Sequence, residues 1–425
     1  MQVIYAPQDA PRVISKSIFL AGPSPRGQKH LNWRPEAIKI LERLGFDGTV
    51  FLPIVEGGEW KHDYVDQIDW ETANLNLADE IVFWVPRDLA TLPGFSTNVE
   101  WGMWLDSGKA TLGFPKGAPK MRYLEHHARA QQVPIYDNLF DTLKAAVSRL
   151  GAGAERFDGE REVPLHIWKL PHFQNWYRQL KAAGNRLDGA RLLWSFRVGP
   201  GKNFTFAYVM QVNVYVGAEK RNKVNEFIIS RPDIATIVAY HPRANLLDTE
   251  VVIVKEFRSP VCTEDGYVRE VPGGSSFKPG VDPFETMVHE LKEETGLVIS
   301  DPTRIVRIGA RQIYGTMLTH RAHVFAVSLN DEELEFLKRQ ERDKVVCGVE
   351  SETERTYVEV HRLGDLIDGD SKAVDWGTLG MIFGTLIGRG NQQAHDLRVR
   401  RFLMRDGKGE DGFGARCFEH PARFF

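Results

Sequence analysis

A chain of 425 residues is too long for one ordinary core and long enough for two or three. With 42% hydrophobic and 26% charged residues it reads as globular, and a formal net charge of −3 leaves no global attraction to nucleic acid or anionic membrane. Cys262, Cys347 and Cys417 are odd in number and far apart, which argues against a disulfide framework or zinc cluster and predicts a cytoplasmic protein.

No apolar run approaches transmembrane length, and the opening MQVIYAPQDAPRV lacks the basic and apolar regions of a signal peptide. The run SIFLA at 17–21, ending in Gly22-Pro23, predicts a strand and a turn. Residues 33–44 have helical spacing, and 50–53 form a second short strand. A helix is expected over 63–77, a buried strand over 80–86, a helix over 97–106, a strand over 110–114 and a closing helix over 138–150. Strands alternating with helices imply a parallel sheet covered on both faces, an α/β domain over 1–150. The stretch 151–162 (GAGAERFDGERE) is small, charged and poor in apolar residues, and reads as a linker. With the helical, aromatic stretch from His166 it forms a connector over 151–189. Long strands follow at 192–198, 204–216, 227–230, 234–240 and 251–257, with one strong helix over 283–295. That mixture predicts an α+β domain over 190–388. Residues 389–425, basic and glycine-containing, read as a loosely packed extension rather than a nucleic-acid tail. The extended 204–216 strand could pair across a homodimer.

In open parallel sheets, ligands bind outside the carboxyl ends of the strands. Three segments fall there. In Gly22-Pro-Ser24-Pro-Arg26-Gly27 the glycines admit close backbone approach, Ser24 can donate, and Arg26 can fork onto a phosphate or carboxylate. A plain turn explains this segment equally well. Gln67–Glu71, with Trp70 and Glu71, precedes Ala78-Asp79 on a helix whose acids are also explained by solvation. In Ser96-Thr-Asn98-Val-Glu100-Trp-Gly102 a carboxylate opens a helix directly after a loop. It either complements the helix dipole or attacks an anomeric carbon, expelling a base and forming a glycosyl-enzyme.

Taken in order, SIFLAGPSPR, the WE…AD-EIVFW run and STNVEWGMWLDSGK resemble the nucleoside 2-deoxyribosyltransferase family over roughly residues 15–125. The resemblance implies a flavodoxin-like parallel sheet with no cofactor. It places Glu100 on the family's nucleophile and Ser107-Gly108-Lys109 on the end of its motif. Glu71 stands where some members carry Asp. Gly22, Ser24, Arg26, Trp70 and Asn98 become substrate contacts, Arg26 suiting a 5′-phosphate.

The second informative passage runs from Gly273 to Leu297. Asp282 can cap a helix, Pro283 suits its first position, and Glu285 completes a capping box. Phe284, Val288, Leu291 and Thr295 fall at helical spacing for a core. Glu290, Glu293 and Glu294 then share one face, where a hard divalent cation would relieve their repulsion. A solvated acidic helix is the competing explanation. Behind its glycine-rich loop this helix resembles the Nudix box, with Glu290, Glu293, Glu294 and Gly296 matching. His289 replaces the usual Arg, and Val281 stands where an earlier Glu is expected. VKEFRSPV (254–261) and Arg269-Glu270-Val-Pro-Gly273 resemble the ADP-sugar pyrophosphatase branch of that family. By resemblance, Mg²⁺ or Mn²⁺ is held by Glu290, Glu293, Glu294 and Glu270, Arg258 meets substrate, and a late acidic loop (Glu350, Glu352, Glu354) supplies a general base, assigned to Glu352. Together the two resemblances predict a bifunctional enzyme acting on nucleosides, nucleotides or ADP-ribose-like diphosphates. One half would cleave or transfer at an N-glycosidic bond, the other would hydrolyse a diphosphate. The alternative is a nucleotide or ADP-ribose sensor with one or both domains inactive.

Overall fold

The protein is described here by a computed structural model covering residues 1–25, 32–56, 64–278, 280–349, 353–367 and 374–388. The chain divides into two compact units. The first comprises Met1–Arg231 with Met317–Thr319; the second runs from Pro232 to Thr316 and continues from His320. No described helix is long and apolar enough to cross a membrane.

The first unit is built on a six-stranded parallel sheet. Its strands are β1 (Gln2–Tyr5), β3 (Ser17–Ala21), β4 (Thr49–Leu52), β5 (Glu80–Trp84), β6 (Ala110–Gly113) and β7 (Ile135–Tyr136), with β2 (Val13–Ile14) lying outside it. The spatial order is β1-β4-β3-β5-β6-β7. Without the added edge strand β1 this is the 2-1-3-4-5 order of flavodoxin-like sheets, whose switch point lies between β3 and β5. β3, β4, β5 and β6 are buried along their whole length, because helices cover both faces. One face packs on α2 (Tyr64–Leu77), α3 (Phe95–Trp104) and α4 (Arg122–Ala130) through Phe19, Phe51, Phe83, Leu75, Trp101 and Leu124. The other packs on α1 (Arg34–Arg43) and α5 (Leu139–Leu150) through Leu20, Val82, Ile40, Leu41 and Leu143.

The expected linker at 151–162 is instead part of this core. Arg156 is fully buried, and its guanidinium grips the equally buried Asp79 at 2.7 and 2.6 Å. Asp79 also accepts from the Ser17 hydroxyl and from the Leu165 backbone N–H at 2.9 Å, so one carboxylate ties β3, β5 and the segment after α5 together. Composition does not reveal this, because an arginine can be buried where a carboxylate and backbone carbonyls satisfy its guanidinium, and that carboxylate is distant in sequence. β8 (Arg156–Phe157) pairs with β2. α6 (Leu165–Trp168) and α7 (Pro171–Ala182) then cover a three-stranded antiparallel sheet of β9 (Arg186–Val198), β10 (Phe204–Val216) and β11 (Arg221–Ser230). Ile167, Trp168, Phe173 and Tyr177 from the helices share a core with Leu187, Tyr208, Met210 and Val212 from the strands. The strands expected at the head of the second domain therefore belong to the first unit, and the boundary falls at Arg231 rather than near 190.

The second unit holds a mixed sheet with helices on both faces. Its strands are β12 (Ile234–His241), β13 (Glu250–Phe257), β14 (Tyr267–Glu270), β15 (Gly273–Gly274), β16 (Val306–Gln312), β17 (Arg321–Ser328) and β18 (Thr356–Arg362). The path is β14-β13-β12-β17-β16, with β15 on β12 and β18 on β13; β12 and β17 run parallel and the other pairs antiparallel. α8 (Pro283–Thr295) and α9 (Asp331–Arg342) pack on one face, α10 (Leu363–Ile367) and α11 (Trp376–Leu386) on the other. Asp282 caps α8 by accepting from the Phe284 N–H, and Gly296 ends it at φ 69°. The core stripe of α8 differs from the expected one. Met287, Leu291, Glu294 and Thr295 are buried, Phe284 packs edge-on against Phe325, and Val288 is exposed. The Glu290, Glu293 and Glu294 side chains therefore do not share one solvent face.

Candidate functional site

At the switch point of the parallel sheet, β3 ends in Gly22, whose φ of 147° and close approach to Trp84 leave no room for a side chain. A Cβ there would lie 2.1 Å from the Trp84 carbonyl oxygen. The turn so formed presents backbone carbonyls to Arg34, at the start of α1. The Arg34 guanidinium donates to the carbonyls of Leu20 (3.2 Å) and Gly22 (2.7 Å) and to the Ser24 hydroxyl (3.2 Å). It is buried, and burial lowers its pKa to about 10, against the pull of Glu100 and Glu71. Glu100, on α3, is half-buried. Its carboxyl is raised to about 7, first by burial, then by the charge of Glu71, with Arg34 opposing both. Glu71, on α2, is also raised by burial, opposed by a 2.8 Å hydrogen bond from the Gln67 amide and by Arg34. Two carboxyls held up by their environment thus flank one buried guanidinium, an arrangement in which one can attack while the other exchanges a proton.

Residues 15–118 match a family model described as nucleoside 2-deoxyribosyltransferase like. The match covers α1, α2 and α3 and the four strands β3, β4, β5 and β6, so this part of the N-terminal sheet is similar to a nucleoside-processing family. No curated protein matches the chain.

Within this deoxyribosyltransferase-like region the structure brings Glu100, Glu71, Gly22 and Ser24 to one place, the latter two through Arg34. It does not bring Asn98. That side chain accepts from Arg87 instead, about 200° around α3 from Glu100 at 100° per residue. Trp70 is half-buried, stacks obliquely on Phe19 and donates its indole N–H to the Gln8 carbonyl at 2.8 Å. Arg26 lies outside the described residues. Arg34 was missed from sequence. The signal was there in Trp33-Arg34-Pro35, because a cation at a helix N-terminus opposes the dipole and calls for another reason. Lys109, the end of the Ser-Gly-Lys motif, is buried and donates to the Leu75 and Asn76 carbonyls at 2.8 and 3.0 Å. It closes the C-terminal end of α2, the helix that carries Glu71.

The second unit gathers carboxylates of its own. Glu256 on β13, Glu294 on α8 and Glu354 before β18 each offer an oxygen within 4.8 Å of the other two. Glu294 is buried and accepts from the Gly273 N–H at 2.8 Å. Burial, then the neighbouring charge of Glu290, raises its pKa well above the usual range. Burial also lifts Glu256 to about 7, against the charge of Arg258. Arg258 bridges Glu256 at 2.7 Å and Glu270 at 3.8 Å. Glu290 lies against Gly274, where a Cβ would meet its carboxylate at 2.3 Å. Glu293 turns away and pairs with His289 at 2.8 Å. Of the expected metal residues, Glu294 joins the cluster, Glu290 and Glu270 are close enough to shift its pKa, and Glu293 is engaged elsewhere. Glu256 was missed because an isolated acid in VVIVKEF resembles a strand end. Glu352 lies outside the described residues. Three carboxylates, two of them buried, make an oxygen donor set that fits a hard divalent cation. The family match ends at residue 118, so the Nudix reading of this unit rests on its own residues.

Proposed function

We propose that the first unit cleaves or transfers at the N-glycosidic bond of a nucleoside or nucleotide, with Glu100 as nucleophile. The observation that carries this is Glu100 beside Glu71 and Arg34 at the sheet's switch point, inside the matched region. Ionised Glu100 attacks C1′ as the bond to the base breaks, forming a glycosyl ester. Glu71, when protonated, donates to the departing base; a second base or water then takes the glycosyl group. Arg34 balances the charge of both carboxyls. The test is base release from a nucleoside panel, read with and without an acceptor base, in the full-length protein and in Glu100→Gln. Undiminished release by the variant would sink the assignment.

A second activity is supported by the acidic cluster. Glu256, Glu294 and Glu354 would hold Mg²⁺ or Mn²⁺, which when bound would polarise a diphosphate. Glu270 and Arg258 border the same place, Arg258 as a contact for the substrate's negative charge. This favours Nudix-type hydrolysis of an ADP-ribose-like or other nucleoside-diphosphate-linked compound. The sensor reading would gain if such compounds bind without metal-dependent turnover.

A further inference from the structure

We propose that a groove between α3 and α4 of the first unit is a second ligand site, taking a small organic anion with a phosphate or carboxylate head on a flat apolar body. The groove encloses about 460 Å³ and is lined by neither Glu100, Glu71 nor Arg34. Its polar end is Arg87, which follows β5 and is buried. This guanidinium donates to the Lys120 carbonyl at 3.1 Å and to the Asn98 side-chain oxygen, both uncharged acceptors. Its Nε has no partner among the described residues, and no carboxylate there offsets its charge. Other buried cations of this unit do have such offsets: Arg156 pairs with Asp79, and Lys109 lies in the field of Asp79 and Glu80. A buried, uncompensated guanidinium is costly for the fold alone, and an incoming anion removes the cost. Trp101 lines the same groove, and its indole N–H is a second buried donor without an acceptor among the described residues. Leu105, Leu124 and the ring of Tyr123 supply apolar walls. Donors at one end and apolar walls along the rest suit a ring bearing an anionic head.

The experiment is calorimetric titration of the full-length protein with phenyl phosphate, benzoate and, as the neutral control, benzyl alcohol. At least one of the two anions should bind at least tenfold more tightly than the alcohol, and their ratio tells a phosphate head from a carboxylate. Arg87→Gln should weaken that binding at least tenfold. Gly102→Leu should do the same by filling the groove, since a Cβ at Gly102 meets nothing within 4 Å. Leucine is also a better helix former than glycine, so this variant decides the matter if Arg87→Gln does not fold. Glu100→Gln should leave the binding within twofold. The proposal is overturned if neither anion outbinds the alcohol, if Gly102→Leu leaves the affinity unchanged, or if Glu100→Gln removes it, which would put the anion at the glycosidic site.

Discussion

Glu100 is where charge, burial and chemistry meet. As a nucleophile it must be ionised, so the ascending limb of base release should carry an apparent pKa near 7, the value to which burial and Glu71 lift it, and release should fall again at higher pH as Glu71 loses the proton it donates. Glu71→Gln should move that inflection down, and Arg34→Met should move it up. A profile flat from pH 5 to 9 would contradict the nucleophile's environment. The same shift has a stability consequence. Folded Glu100 binds its proton at about 7, and the unfolded chain does so near 4.3. Between those values the folded state holds more protons, so the contribution to stability falls as pH rises through the window. Glu100→Gln should thus be more stable than wild type above pH 7, by about 1–3 kcal/mol allowing for partial exposure, with no gain near pH 4. Urea unfolding at the two pH values measures it. The sequence singled out Glu100 because a carboxylate after a loop at a helix start is a local signal. It did not single out Arg34, whose role depends on carbonyls of Leu20 and Gly22 that only the fold brings round it.

At the scale of elements, the Asp79–Arg156 pair decides where the first unit ends. A fragment of residues 1–150 removes the arginine partner of Asp79, together with β8 and Leu165. Breaking a buried pair by deleting one member costs about 3–5 kcal/mol, a large share of a domain's stability. We expect the 1–150 fragment to be insoluble or molten and the 1–231 fragment to melt cooperatively. Arg156→Met in the full chain should lower the denaturation midpoint of the first unit. Cooperative melting of 1–150 would restore the shorter boundary. The charges of 151–162 look solvated in the sequence, as those of a linker do. Which charge finds a buried partner more than seventy residues away is not written in local composition.

For the whole molecule, the prediction of widest reach is that the two sites are separately addressable. A divalent cation at about a hundred times its Kd stabilises the state that binds it by about 2.7 kcal/mol. Mn²⁺ should therefore raise the unfolding midpoint of the second unit, and Glu294→Gln should remove the rise, because that residue is the buried member of the cluster on α8. Glu293→Gln should cost the metal effect and any diphosphate hydrolysis less than threefold, since its carboxylate is engaged with His289. Calorimetric scans with and without Mn²⁺ distinguish the two variants. Equal losses would return Glu293 to the metal site. Acid should weaken the metal effect, because the carboxylates must be ionised to bind. Base release by the first unit should survive both substitutions.

Periodicity and turn chemistry are local, and they sufficed for the alternating strands and helices of the parallel sheet, for α8 with its Asp282 cap and Gly296 stop, and for Glu100, Glu71 and Glu294 as residues of interest. What needed the tertiary structure was every choice made through space. Asp79 took Arg156, Glu100 took Arg34 and Glu71 as neighbours, and Glu294 took Glu256 and Glu354 rather than Glu293. The reason is physical. A helix or strand repeats over a few residues and shows its period in any short window. The energy of a buried charge depends on what surrounds it, and those surroundings come from strands that are distant in sequence and adjacent in the sheet.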